Sequence, residues 1–302
     1  MRKFWRLAVA SSLALTLFAA GCAQKESVDT PAPKSTPKAV RTFGSDTYMA
    51  QLKSKGKIVI GVKFDVPQFG SLNTATGLPE GFDVDLANII AKEIGVTVEF
   101  VEAVSKNRIP FLNEDKVDLI ISTMTINEER KGQIDFSNVY YIAQQRLLVT
   151  STSKIKSVSD LESQKANVCT AKGSTSEKNL RAIAPSAVVN LQDGYSQCFQ
   201  LLQNQQTDAV TTDDVILVGL LKNDPKNFKL TGDPFSKEPY GMGIKKGRVG
   251  FVEFINDVLT DVKKDGTWEK LYNKWVKPLT GASAEPPPDT ASAEGPSPKP
   301  SV

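Results

Sequence analysis

The chain has 302 residues, with 37 Lys and Arg against 34 Asp and Glu and no histidine. Setting aside Arg2, Lys3 and Arg6 near the N-terminus leaves 34 basic against 34 acidic residues, so the remainder is neutral and gives no electrostatic case for nucleic acid. Lacking histidine, the chain cannot build a histidine-based triad, and it forgoes the commonest general base and metal ligand.

The basic residues Arg2, Lys3 and Arg6 precede 14 mostly apolar residues, Leu7 to Ala20, and then Gly21 and Cys22. This pattern is that of a secretory signal, residues 1–21, whose apolar run is short for a membrane span. The sequence Ala19-Ala20-Gly21-Cys22 resembles the lipobox of bacterial lipoproteins. That resemblance implies lipidation of Cys22 and anchoring to the extracytoplasmic face of the cell membrane, at about 0.8 kcal/mol per buried CH₂. Residues 22–44, polar and carrying Pro31, Pro33 and Pro37, read as a disordered tether, and 281–302 as a disordered Pro-rich tail. The stretch between them suffices for two lobes of ordinary domain size.

Within that stretch, short apolar runs alternate with helical patterns. Lys57–Val62 reads as a strand, and Gly81–Gly95 as a helix with Leu86, Ile89, Ile90 and Ile94 on one face and a glycine at its end. Strands follow at 96–101, 117–121 and 146–150. A second series has strands at 166–170, 187–191 and 208–212, each leading into a helix: from Ser176, through Cys198, and from Asp213. Residues 241–247, a helix from Val249 to Lys264 and an amphipathic segment at 268–276 close the series. Such alternation predicts α/β layers with largely parallel sheets. Cys169 and Cys198 remain in an exported, oxidising setting and are expected to pair; two buried free thiols are the alternative. Two cysteines without histidine make a poor zinc site, and no metal or cofactor is expected.

Residues 122–136, STMTINEERKGQIDF, place Ser122, Thr123 and Thr125 where a strand ends. Thr125 and Glu128 have capping-box spacing, which makes Thr125 the expected N-cap of the next helix. Arg130 then falls in the first turn, where a cation opposes the helix macrodipole, so an anionic group is expected to bind there. An exposed, snorkelling arginine is the plainer alternative.

Six motifs in order carry a family resemblance: GFDVDLA at 81–87, the 122–136 stretch, Tyr140-Tyr141, KGST at 172–175, TDAVTTDD at 207–214 and YGMGIKKG at 240–247. Together they resemble the extracytoplasmic solute-binding proteins (family 3) of polar amino-acid ABC transporters. The resemblance implies an α/β fold of two periplasmic-binding-protein (type II) lobes joined by two hinge strands, with the ligand enclosed between them. The expected boundaries are 45–147 and 239–280 for lobe 1 and 148–238 for lobe 2. It also implies that Arg130 grips an α-carboxylate with support from Thr123 and Thr125. Ser174 or Thr175 would assist, although N-capping is the other reading of that turn. Asp213 would pair with an α-ammonium, with Asp214 beside it as an alternative cap. Lys63 and Arg108 resemble the branch that takes acidic ligands: Arg130, Lys63 and Arg108 against Asp213 match two carboxylates and one ammonium. Glutamate is therefore the expected ligand, with aspartate, glutamine or asparagine close behind. Phe64 and Tyr195 would pack on its methylenes or belong to the core. The implied partners are an ABC permease and, through the lipid, a membrane; a monomer with no enzymatic activity is expected. A sensor acting through a partner, or an enzyme using Asp or Glu, are the alternatives.

Overall fold

The segment KIVIGV lies between two other strands and buries four of its six residues, as a central parallel strand must. It is β1 (Lys57–Val62) of a computed structural model that describes residues 41–222 and 224–295. The expected signal, Cys22 and most of the tether lie outside those residues.

Helix α1 (Tyr48–Lys55) precedes β1, and a small antiparallel sheet follows: β2 (Asp65–Val66), β3 (Gly70–Asn73) and β4 (Leu78–Glu80). Next come α2 (Phe82–Ile94), β5 (Thr97–Glu102), α3 (Arg108–Asn113), β6 (Leu119–Ile120), α4 (Glu128–Lys131) and β7 (Asp135–Phe136). Strand β8 (Tyr141–Ala143) carries the chain to the second lobe: β9 (Gln145–Thr150), α5 (Val158–Ser163), β10 (Asn167–Ala171), α6 (Thr175–Ile183), β11 (Val188–Gln192), α7 (Tyr195–Gln203), β12 (Ala209–Asp213), α8 (Asp214–Leu221) and β13 (Phe228–Thr231). It returns through β14 (Glu238–Tyr240) to β15 (Gly243–Ile244), α9 (Val249–Lys264), α10 (Thr267–Trp275) and α11 (Lys277–Thr280).

Each lobe is built on a five-stranded sheet, β5-β1-β6-β15-β7 in the first and β11-β10-β12-β9-β13 in the second. Both share one logic. Three strands are parallel, and the strand that has just arrived from the other lobe, β15 or β9, joins them antiparallel with one more antiparallel strand beyond it. The sheets are thus less parallel than the alternating pattern predicts, because the crossover reverses chain direction at the third strand's edge.

The crossovers β8 and β14 pair with each other, Glu238 opposite Ala143 and Tyr240 opposite Tyr141, as a short antiparallel ribbon. Tyr140, Tyr141 and Tyr240 pack there against Phe69 and Phe82 at ring separations of 5.2 to 6.3 Å. Trp268 of α10 donates its indole N–H to Tyr140 O at 2.7 Å, fixing the return helices to the ribbon's entry.

Both ends of the folded region are tied down. Arg41, in the expected tether, pairs with Glu93 at 3.0 Å and Asp261 at 2.6 Å. The tail expected to carry no fold has, up to residue 295, no helix or regular strand, yet its backbone hydrogen-bonds to the body of the protein.

Cys169 of β10 and Cys198 of α7 form the expected disulfide, with Cα atoms 5.4 Å apart and a sequence separation of 29. A loop of that size contributes about 3 to 4 kcal/mol on the chain-entropy account. Replacing Cys169 and Cys198 together by Ser is expected to lower the unfolding free energy by that amount, read from the urea midpoint. A loss below about 1 kcal/mol would show that the bridge does not restrict the unfolded chain.

Candidate functional site

Where the two lobes meet, the protein buries charge. Among the described residues, six charged side chains are buried: Lys63, Arg108 and Arg130 against Asp83, Asp213 and Glu238. An isolated buried charge is costly, so each of these needs a partner.

Arg130 lies in α4, but Thr125 is not that helix's N-cap. Asn127 holds the position, accepting from Arg130 N at 2.9 Å, and a four-residue helix leaves no room for a start at Thr125. Thr125 instead donates its hydroxyl to Glu238 Oε2 at 2.7 Å, and its carbonyl accepts from Arg130 Nη1 at 2.7 Å. The other arm of the guanidinium reaches Gly173 O of the second lobe at a longer 3.4 Å. Its remaining donors are the ones a carboxylate can use. Burial, and then the neighbouring Arg108, push Arg130 down to about 9, so it stays charged at neutral pH.

Opposite, Asp213 closes β12, while Asp214 serves the local backbone by accepting from Gln144 N at 3.2 Å and Val215 N at 2.8 Å. Asp213 Oδ2 accepts from the Tyr240 hydroxyl, and its Oδ1 is buried without a protein partner. Burial first and the Glu238 charge second hold Asp213 well above the usual carboxylate range, the behaviour of an anion that needs a cation beside it.

Ser174 is the N-cap of α6, accepting from Glu177 N at 3.0 Å, so the capping reading of that turn holds for Ser174. Thr175 brings its hydroxyl to 3.4 Å from that of Thr125 across the cleft. Tyr195, at the start of α7, is buried with Lys63 Nζ 5.5 Å from its ring centre. Phe64 is half-buried and packs on the main core.

Arg108 is held by backbone carbonyls through two of its three guanidinium nitrogens. Its Nη1 donates to Ser122 O at 2.9 Å and Thr123 O at 3.1 Å, and its Nε to Ser105 O at 3.3 Å. Thr123 has φ of 43°, a left-handed backbone that a β-branched residue rarely adopts. Asp83 accepts from Thr123 N at 2.9 Å and from the Tyr140 hydroxyl at 2.9 Å, so one acid and one base clamp the two sides of that strained residue. Lys63 has one side-chain partner, Ser105 Oγ at 2.9 Å. Burial, followed by Arg108, lowers Lys63 to about 7, and burial raises Asp83 to about 7.

The charge count made from sequence changes accordingly. Asp83 and Glu238 join Asp213, giving three acidic groups against three basic ones, and burial disfavours the charged forms of Lys63, Asp83 and Asp213 alike. Glu238 accepts locally from the Ser236 hydroxyl at 2.7 Å, but the partners that place it at the lobe junction are remote in sequence: Thr125 is 113 residues away, and Asn179, donating at 3.1 Å, is 59 away. Tyr240 began a quoted motif, and its position there was the available hint.

Further contacts hold the lobes together. Lys106 pairs with Asp193 at 2.5 Å and Glu129 with Lys178 at 2.6 Å, both exposed and so of small worth. Asp65 of the first lobe accepts from Tyr195 N at 2.5 Å at the start of α7. A Cβ on Gly194 would stand 2.4 Å from Asp65 Oδ2, so a side chain there would push the carboxylate off the Tyr195 amide.

Residues 58–278 match the sequence model of the bacterial extracellular solute-binding proteins, family 3. The chain belongs to this family. It is 44% identical over 280 residues to the ABC transporter glutamine-binding protein of Bacillus subtilis (strain 168), covering 92% of this chain and 98% of that one. A glutamine-binding protein of Geobacillus stearothermophilus is 44% identical over 248 residues, 81% of this chain and 93% of its own. Among solved structures, an ancestral arginine-binding protein bound to glutamine superposes with a TM-score of 0.69 at 40% identity, over 73% of this chain and 98% of that one.

The different partners of Lys63 and Arg108 separate their roles. Arg108→Met is expected to cost about 2 to 4 kcal/mol of stability, because it leaves buried carbonyls and Asp83 without their cation. Lys63→Met removes one hydrogen bond and a cation that burial already disfavours, and should cost under about 1 kcal/mol. Equal losses in denaturant unfolding would show that the two cations do the same job.

Proposed function

We propose that this family 3 solute-binding protein captures a zwitterionic polar amino acid, glutamine above the others, and hands it to an ABC permease for uptake. The observation that carries this reading is a pair of complementary anchors on opposite lobes, the remaining donors of Arg130 and the buried, unpartnered Oδ1 of Asp213. Such a pair takes the carboxylate and the ammonium of one zwitterion. The names of the two relatives at 44% identity support the same choice. We read the protein as a monomeric binding protein rather than an enzyme, held to the extracytoplasmic membrane face through Cys22.

In this reading Arg130 takes the α-carboxylate in its free donors and Asp213 Oδ1 takes the α-ammonium. Thr123 and Thr125 shape the turn that aims Arg130, with Thr175 opposite. Lys63 meets the end of the ligand side chain, and Tyr195 covers it. Because the charged ends engage opposite lobes, binding stabilises the closed state over an open one. Arg130→Ala is expected to weaken binding by about 2 to 5 kcal/mol, roughly 30-fold to several thousandfold, in calorimetric titration of the folded variant. Retained affinity would remove Arg130 from the site.

A second ligand follows from Lys63. With its ammonium lowered to about 7, it is charged below that pH and a neutral donor above it. Glutamate needs the charged form to pair with its distal carboxylate, whereas the glutamine amide can use either form. Glutamate affinity should therefore fall roughly fivefold to tenfold from pH 6 to pH 8, while glutamine affinity stays within about twofold. Asp83 titrates in the same window, so Lys63→Met is the control that should flatten the glutamate profile. Titration with the twenty amino acids at pH 7.5 tests the whole reading, and failure of every polar amino acid to bind would end it.

A further inference from the structure

The C-terminal segment after α11 runs along the hinge ribbon. Asp289 O accepts from Val139 N at 2.9 Å, two residues before β8, and the Asp289 carboxylate pairs with Lys263 of α9 at 2.7 Å. Both contacts lie on the first lobe. Five residues later Glu294 exchanges both backbone hydrogen bonds with Lys237, the residue that enters β14 from the second lobe, at 2.9 and 3.1 Å. A Cβ on Gly295 would come 3.9 Å from Asn179 Oδ1 of α6, in the network that holds Glu238. Between its anchors the tail helps to line a cavity of about 440 Å³ with Ile134, Phe136 and Val249.

We propose that residues 282–295 form a strap, a non-covalent connection between the lobes alongside the two hinge strands, that favours the closed angle and so tightens ligand binding. The direction of the chain supports this. From Asp289 to Glu294 it travels from the first-lobe end of the ribbon to its second-lobe end, antiparallel to β14, as the Lys237–Glu294 bridge requires. The strap therefore lies beside the two strands about which the lobes turn. The strap is bonded at Val139 and at Lys237, at opposite ends of that ribbon, so a lobe movement that changes the spacing between them works against its backbone bonds.

The strap rests on the binding function proposed above, and its test separates the two. The full chain, a chain ending at Gly281, and Glu294→Pro, which deletes the amide bonded to Lys237 O, are compared by hydrogen exchange and by titration with L-glutamine. Tenfold or faster exchange of the Lys237 amide is expected in both altered proteins. L-glutamine affinity should fall roughly 5-fold to 150-fold, the range given by losing two backbone hydrogen bonds. Unchanged exchange would show that the strap is not engaged, and faster exchange with affinity kept within twofold would show that it does not govern closure; either result overturns the proposal. If the full chain itself ignores L-glutamine, the ligand assignment fails. Lobe separation measured by fluorescence transfer in the three ligand-free proteins then decides the strap, which predicts a wider mean separation without it and is refuted by equal separations.

Discussion

Mutual compensation of buried charge is the constraint on which the rest of the structure depends. Three bases and three acids sit at one junction out of water, and none could remain alone there without costing several kcal/mol. Their arrangement explains the local architecture. Asp83 stands in the first turn of α2 so that it can hold Thr123, and Arg108 begins α3 so that it can hold the same turn from the other side. Glu238 occupies a hinge strand so that it can reach Thr125 and Asn179 at once. Within this cluster of described residues, the buried oxygen left without a protein partner is Asp213 Oδ1, and Arg130 keeps donors beyond those given to Thr125 and Gly173.

Much of the fold was legible because local pattern decided it. The strand Lys57–Val62 and the helix Val249–Lys264 have the bounds that their apolar spacing predicts, and Gly95 ends α2 in the left-handed conformation that glycine permits. Less legible were β2, β3 and β14. They are two to four residues long, too short for a period to show, and β14 carries a proline that argues against a central strand. Thr125 misled for a related reason: its spacing to Glu128 satisfies a capping rule, but Asn127 is nearer and Glu238 competes for the hydroxyl.

For the site, sequence supplied the residues and the structure supplied their engagements. Lys63, Arg108, Arg130, Thr125, Thr175, Tyr195 and Asp213 do gather at one place. Whether a cation is available to a ligand, however, depends on which carbonyls surround it. Arg108 has three, contributed by residues 105, 122 and 123, and no local rule foretells a loop that folds back in this way. A charge count from sequence also omits any acid that looks like ordinary helix chemistry. Asp83, placed in a first turn, reads as a complement to the dipole until Thr123 N is found against it.

The disulfide has a mechanical meaning apart from chain entropy. It fastens α7 to the second lobe's sheet at Cys198, one helical turn from the end that receives Asp65 of the first lobe. A helix pushed or pulled at its tip can normally relax by tilting on its bed. With a covalent rivet so close to the point of load, α7 cannot tilt without carrying β10 along. The approach of Asp65 therefore acts on the lobe as a rigid body, and its displacement is delivered to the sheet whose neighbouring strand ends in Asp213.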